Sequence, residues 1–540
     1  MKFRQNGGCA GWNMTAVLLS CFFLVAVVLP LLRLFAGCLQ ADLGKIFANP
    51  LVPRGIANSV RVSLCATGVS VALALLLAWC VNRTRVRGKG LFQSLLLLPM
   101  LVPSISHGMG LVILFGANGK LSNLLGLSRG IYGFWGILLG SVMYSFPVAY
   151  LMLSDILKYE DATPYEAAAV LGMSRWRTFW AITLPYLRKP LVNVIFATFT
   201  MIVTDYGVPL MIGGAYKTLP VIMYEEVIGR LDFAQGSVFG LILLLPALAA
   251  FLIDMFCRNR TGSGYSRRSF ELKPAFWRDC SAFAVLAAVS LAVVYPLFSF
   301  AQLTFATRYP KDMSFTWHNI SSTLSKGAGD YLANSVQIAL AVALLGTAVA
   351  FLCAYLTVRL PIRGARFLHL MSITSLAVPG IVLGLAYVMF FKGSFIYGTM
   401  SILILVNTIH FFSSPYLMMY NSLGKLNPNL EAVGATLGIS RLRMIKDVVL
   451  PQTQATLLEM FAYFFVNSMM TISAVAFLAN AKTKPVSLMI NQFEAQTLLE
   501  AAAFVSLLIL LVNLMLKCLI FSVKTLLQSR NRRKTYGQMF

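Results

Sequence analysis

Charge is scarce in this sequence, and acid is scarcer still. Of 540 residues only 12% are Asp, Glu, Lys or Arg; there are 19 acids against 44 bases, and 4 histidines. No GxxxxGK[ST] loop occurs, so nucleotide binding by a Walker motif is excluded. No HExxH, no EF-hand loop and no Ser/His/Asp pattern in a soluble domain is present, and no enzyme active site is read. The nine cysteines form no CxxC, and Cys21, Cys65, Cys80, Cys353 and Cys518 lie in or beside apolar runs, which argues against a disulfide framework or a metal cluster. Neither a cofactor nor a metal is expected, and any energy must come from a partner or an ion gradient.

What the chain has is apolar length. It is 58% hydrophobic with a mean hydropathy of +0.76, the composition of a polytopic membrane protein. Twelve runs are long enough to span a bilayer as helices: 15–36, 56–81, 91–116, 131–155, 191–213 and 236–257, then 281–302, 332–358, 367–391, 398–423, 456–480 and 498–523. The first is read as a retained span, since no small-residue cleavage site follows it. The net charge of +25 sits in alternate loops, for example Arg83, Arg85, Arg87 and Lys89, or Arg530, Arg532, Arg533 and Lys534. That is the positive-inside pattern; it places both termini in the cytoplasm and argues for topology rather than a nucleic-acid partner. The expected fold is all-α: about twelve transmembrane helices in two homologous six-helix halves, 1–257 and 280–540, joined by a basic cytoplasmic linker, 258–279.

The halves are visible as a repeat. Gly172, Ser174, Arg175, Arg177, Leu184 and Pro185 recur as Gly438, Ser440, Arg441, Arg443, Leu450 and Pro451, all 266 positions on. Earlier, Ala57-Asn58-Ser59-Val60 matches Ala333-Asn334-Ser335-Val336, Arg87-Gly88 matches Arg363-Gly364, and Pro103 matches Pro379, at an offset of 276. Thr163-Pro164-Tyr165-Glu166 reads as a capping box that opens a short helix through Ala167, Ala168 and Ala169. Gly172 lets the chain turn, and Pro185 resets the path before the next span. In the second copy Glu431 stands seven residues before its glycine, where Glu166 stands six before Gly172, so the two are not strict equivalents. Asn427 is the expected cap there, and the helix should be slightly longer.

These paired stretches, Glu166–Pro185 and Glu431–Pro451, resemble the EAA motif of ABC-importer permeases, and the resemblance extends over both halves. It implies a fused type I importer permease in the inner membrane of a bacterium. The loops 160–190 and 424–455 would be coupling loops, with Glu166, Ala167, Ala168, Gly172, Arg175, Glu431, Ala432, Gly438 and Arg441 meeting two copies of an ABC ATPase that binds the ATP. An extracytoplasmic solute-binding protein would dock outside, partly on Ala215–Gln235 and Lys482–Glu500. The run from Thr204 to Gly214, with Leu244-Leu-Pro-Ala247 and Asp254, is similar to the ferric-iron/2-aminoethylphosphonate branch of a group that also includes thiamine importers. Ferric iron is the first substrate and 2-aminoethylphosphonate the second.

Ionisable residues inside apolar runs are costly and therefore informative. Asp205, in Thr204-Asp205-Tyr206-Gly207, either lines a path late in the fifth span or pairs with a neighbouring helix; Thr471-Ile472-Ser473 holds the corresponding place. His107 and Ser104, in Pro103-Ser-Ile-Ser-His107, face the same alternatives, with Ser106 and Asn467 as weaker candidates. Tyr206, Thr471 and Ser473 complete the candidate path. Trp12, Trp135, Tyr144 and Trp277 read as interface anchors. The rival class is an ion-coupled secondary transporter built from repeats, which would need several buried ionisable groups.

Overall fold

The computed structural model describes residues 9–126, 130–257, 270, 272, 274–362 and 364–537. It is helical throughout apart from one antiparallel hairpin, Ala306–Arg308 with Asp312–Phe315. Among the described residues eight helices are long and apolar enough to cross a membrane. In chain order the first half places Gly11–Cys38, Leu51–Arg83, a bent pair Lys89–Leu101 and Ser104–Phe115, Phe134–Lys158, Trp176–Val203 and Phe233–Ile253. The second half places Phe276–Thr304, His318–Arg359, the bent pairs Ala365–Ala377 with Gly380–Phe391 and Met400–His410 with Ser413–Gly424, and Leu499–Leu527; the helix Leu450–Met470, at the place of the expected eleventh span, is not among the helices apolar enough to cross, so eleven of the twelve expected spans are found if each bent pair counts as one. These places number the first to twelfth spans below.

The third and ninth runs are not straight helices as expected, but turn by 102° and 110°. The reason is local. Val102 and Val378 precede prolines and take extended backbone, with ψ of 150° and 111°, because a following proline ring crowds the helical conformation. The tenth span bends by 52° between His410 and Ser413. The fifth span starts earlier than the 191–213 run and stops at Val203, which leaves Asp205 in the break that follows rather than in the helix. The seventh begins at Phe276, inside the expected linker; the rest of that linker, 258–269 with 271 and 273, lies outside the described residues.

Pro185 and Pro451 do not reset the chain either. Each helix runs on, and one π-turn precedes the Leu-Pro pair: Phe179–Thr183 before Leu184-Pro185, Ile445–Val449 before Leu450-Pro451. A third, Leu24–Val28, precedes Leu29-Pro30. A proline ring has no N–H to donate and crowds the carbonyl four residues back; widening one turn relieves both problems without breaking the helix.

The halves interlock. The first span packs against the ninth and tenth, with the Tyr387 hydroxyl donating to the Ala26 carbonyl at 2.6 Å and Phe23 edge-on to Phe412 at the bend of the tenth. The seventh span packs against the second and third, with Phe283 edge-on to Phe92. Each half therefore lends its opening helix to the other. The third and twelfth spans meet through Ser106 and Ser506, 2.9 Å apart, and through Asn513, which donates to the Leu101 carbonyl at the bend.

The repeated Asn-Ser pair also has a structural job. The Asn58 amide donates to the Lys217 carbonyl at 3.0 Å, and the Ser59 hydroxyl accepts from the Leu219 N–H at 2.8 Å. Asn334 donates to the Lys482 carbonyl at 2.9 Å, and Ser335 accepts from the Val486 N–H at 2.7 Å. These bonds seat the helices Leu219–Arg230 and Ser487–Ala495, each half-buried against its half rather than a solvated loop. Removing either serine hydroxyl leaves a buried N–H unpaired, at a cost of about 1–3 kcal/mol. Ser59→Ala and Ser335→Ala should each lower the melting temperature of the detergent-solubilised protein, while Val60→Ala, on the exposed side, should not; equal melting of all three would refute this role.

Candidate functional site

Two features stand out: the paired loops and a cavity between the halves. The first loop helix, Thr163–Val170, is not opened by a capping box. The Asp161 carboxylate does the capping instead, accepting from the Thr163 N–H and hydroxyl. In the second, Asn427 accepts from the Asn429 N–H, and the helix Leu430–Thr436 is one residue shorter than its counterpart, not longer. Both helices close alike. Met173 and Gly172 donate to the carbonyls of Ala168 and Ala169; Ile439 and Gly438 donate to those of Gly434 and Ala435. This double closure requires a left-handed residue, and the glycines supply it with φ of +64° and +69°. Ser174 and Ser440 then accept from the N–H groups of Arg177 and Arg443 to start the next helix.

Each loop is anchored by an arginine at the end of a long span. Arg83, on the second span, pairs with Glu160; the side chains are 8% and 3% exposed. Arg359, its repeat mate on the eighth, pairs with Glu431, at 4% and 17% exposure, and also donates to the carbonyls of Leu426 and Asn427. Glu431 aligns with Tyr165, not with Glu166. The Tyr165 hydroxyl donates to Glu160 at 2.5 Å, so a Tyr–Glu relay in one half does what a single glutamate does in the other. Burial, reinforced by that bond to Glu160, pushes the phenol well above its usual range and keeps it a donor. Phe270, from the linker, lies over the Arg83 guanidinium at 3.6 Å and edge-on to Tyr165.

Glu166, Ala167, Gly172, Ala432 and Gly438 are exposed, whereas Ala168 is buried beneath the helix; Arg441 is half-buried, and for Arg175 only the backbone is described. Sequence reasoning missed the apolar residues on the outer face. Leu171 and Leu437 are 77% and 69% exposed, and Trp176 and Leu442 are both 71% exposed, at matching repeat positions. The identical leucine just before each glycine was the available signal.

The cavity, about 510 Å³, lies between the halves. The fourth and fifth spans supply Tyr144, Asn193 and Thr200; the bent ninth and tenth supply Ser375, His410 and Ser414; Tyr463 and Ser473 close it. Of the six candidate path residues, Asp205 and Ser473 line it. The Asp205 carboxylate accepts from the N–H groups of Gly207 at 3.3 Å and Val208 at 3.0 Å. Ser104 is buried and does not line the cavity. His107 is buried behind the wall against Tyr144, with no hydrogen bond from its ring nitrogens. Tyr206 turns away to stack on Tyr224 at 5.0 Å, and the Thr471 carbonyl receives the Ser487 hydroxyl. Tyr144 lines the wall rather than anchoring an interface. It and His410 stand at the same repeat position, but their residue types differ, so no motif marks them. Among the described residues no three His, Cys, Asp or Glu side chains gather as a metal site.

The family described as binding-protein-dependent transport system inner membrane component matches the chain twice, over residues 70–259 and 346–532. The chain belongs to this family. Two copies of the family's domain are fused in it, and it is a multi-pass component of an inner-membrane transport system. It is 27% identical over 461 residues to the ferric transport system permease protein FbpB of Actinobacillus pleuropneumoniae, spanning 82% of this chain and 66% of that one. It is 21% identical over 480 residues to the Fe(3+)-transport system permease protein FbpB 2 of Haemophilus influenzae, spanning 86% and 89%. A half-length relative, the sulfate transport system permease protein CysT of Escherichia coli, is 27% identical over 259 residues, 47% of this chain and 92% of its own.

The two anchors should differ in strength. Removing one partner of a buried ion pair costs about 3–5 kcal/mol, because a charge is left behind without compensation. Glu160→Ala should therefore expose the first loop to trypsin, while Glu431→Ala should do so less, since Arg359 keeps two carbonyl partners. Equal cleavage in both variants would contradict this ranking.

Proposed function

We propose that this chain is a fused two-half permease of an ATP-driven importer: first half 1–257, linker 258–279, second half 280–540, both termini in the cytoplasm. The observation that carries the proposal is the pair of loops. Each is a short rigid helix, closed by a left-handed glycine, pinned to the base of a long span, and exposing apolar side chains where lipid is not the neighbour. Exposed apolar residues on such a loop mark a protein-docking face. Two ATPase subunits sit on these faces, and the ATP is bound and hydrolysed there. Closure of the ATPases draws the loops together and biases the permease between two states. A solute-binding protein docks on the opposite side, at the helices Leu219–Arg230 and Ser487–Ala495.

The cavity supports a translocation path open toward the loops. It follows the fifth span from Asn193 to Asp205, roughly 18 Å at 1.5 Å per residue. Beyond Asp205 the Tyr206 ring stacks on Tyr224, which lies tilted against Phe477, and this aromatic group is read as the closed end of the path. Ferric iron is the substrate this reading favours, because full-length relatives are named as ferric transport permeases. An ion-coupled secondary transporter leaves the paired loops without a task, and the cavity offers it one acid.

Gly172→Val and Gly438→Val test the coupling role. No atom lies within 4 Å of a Cβ built at either glycine, so the penalty is backbone strain alone, about 1–2 kcal/mol. Each variant should insert normally, yet lose ferric uptake and the ATPase stimulation that depends on the permease. Glu166→Lys should insert and fail in the same way. Uptake at wild-type rate in all three would end the proposal.

A further inference from the structure

Two positions hold a backbone that their residues resist. Among the described residues every residue with positive φ is a glycine except Leu231, at +56°, and Thr497, at +59°. In this left-handed conformation Cβ crowds the following carbonyl oxygen; Asn and Asp offset the cost with a local hydrogen bond, whereas leucine has no polar group to do so and the branch of threonine adds to it. The two lie 266 positions apart, the offset that also relates the paired loops. Their side chains differ and both are exposed, so what the halves share here is the backbone.

Each stands at the same joint. The helix Leu219–Arg230 is held to the second span at its start, by Asn58 and Ser59. At its end the Leu231 and Asp232 N–H groups both donate to the Glu226 carbonyl, and the sixth span begins at Phe233. The helix Ser487–Ala495 is held to the eighth span by Asn334 and Ser335. After it the Thr497 and Leu498 N–H groups donate to the Glu494 and Phe493 carbonyls, both at 2.8 Å, and the twelfth span begins at Leu499. Each helix thus bridges two spans, and a tilt of the second against the sixth, or of the eighth against the twelfth, falls on the short joint between helix and span. The two helices also meet across the halves, where the Asn491 amide donates to the Tyr224 hydroxyl at 3.4 Å beside the aromatic group that ends the cavity.

We propose that Leu231 and Thr497 are loaded joints: strained while the two helices lie together, and relaxed into ordinary backbone when the helices part and the path opens outward. This rests on the importer reading above. Strained backbone persists only where the surrounding structure over-determines it, and it gathers at switch regions. Here the pins at Ser59 and Ser335 and the Asn491–Tyr224 contact do the holding. Strain present in the closed arrangement and absent from the open one narrows the gap between them, so a docking partner has less to supply.

Hydrogen–deuterium exchange of the full-length permease in phosphatidylcholine nanodiscs reads the joints, through the Asp232 and Leu498 amides that their bonds protect. Leu231→Gly and Thr497→Gly remove the strain. Each should slow exchange at its own joint, corrected for intrinsic rate, by about fivefold, because a left-handed Cβ is costly enough for a factor of this size even after glycine's own freedom offsets part of it. Each should also lower ferric uptake, since the closed arrangement becomes harder to leave. Leu231→Ala keeps the Cβ and should exchange like the wild type, which separates backbone strain from the leucine side chain. Unchanged or faster exchange in both glycine variants, equal slowing in Leu231→Ala, or slowed exchange with wild-type uptake overturns the joints. Absence of ferric uptake by the wild-type protein, or normal uptake by Gly172→Val, would instead overturn the importer reading and leave the exchange rates to decide on the joints.

Discussion

The fold depends on one constraint: in hydrocarbon every backbone N–H and C=O must find a partner inside the protein. Straight helices meet it by themselves. The breaks do not, and each is repaired by a specific side chain. Asp205 takes the two N–H groups freed after the fifth span. Ser375 takes the Ser413 N–H at the bend of the tenth, and Ser413 returns a bond to the Ser372 carbonyl. Asn513 reaches across from the twelfth span to the Leu101 carbonyl. Ser487 serves the Thr471 carbonyl. Non-helical backbone is tolerated at this depth only where it is buried in protein or lines a cavity, and here it does both. The polar residues that repair the breaks are therefore also among those that shape the cavity. Structure and path draw on the same few side chains.

The two halves share a backbone plan more closely than they share side chains. Arg83 and Arg359 match, but their acids come from different places in the loop, Glu160 before the helix and Glu431 within it. Tyr144 and His410 occupy one repeat position with different chemistry, as do Asp205 and Thr471. Duplication followed by such divergence makes an asymmetric cavity from a symmetric frame. The linker adds to the asymmetry, since Phe270 covers Arg83, while among the described residues no aromatic ring covers Arg359.

Much of this was legible in the sequence. Apolar length found nearly every span, and the matched glycines located both loops, because a left-handed closure admits little else. The repeated Asn-Ser pair was visible, though not its purpose, since its partners lie 159 and 148 residues away. What could not be read is where one element meets another. Pro103 and Pro379 were noticed, but a proline in an apolar run is compatible with a shallow kink as well as with the turns of 102° and 110° that the extended Val102 and Val378 make here. The loop anchors were hidden because Glu431 sits one position from where the Glu166 alignment would place it. Of the cavity, Asp205 and Ser473 were found because a carboxylate in an apolar run is conspicuous. Tyr144, Tyr463 and His410 were not, because aromatic residues near span ends are commonplace.

The second and eighth spans join these observations into a mechanism. Near one end each holds, through Asn58 and Ser59 or Asn334 and Ser335, the helix proposed to receive the binding protein. At the other end each holds a loop proposed to meet an ATPase subunit, through Arg83 or Arg359. From Ser59 to Arg83 the rise is roughly 36 Å, the depth of a bilayer core with part of its interfaces. The anchors named here at the two ends of these helices are side chains repeated in both halves. A rigid helix pinned at both faces cannot tilt at one without moving the other. On the proposed coupling role, motion of a loop would be carried to the far side by these two continuous helices.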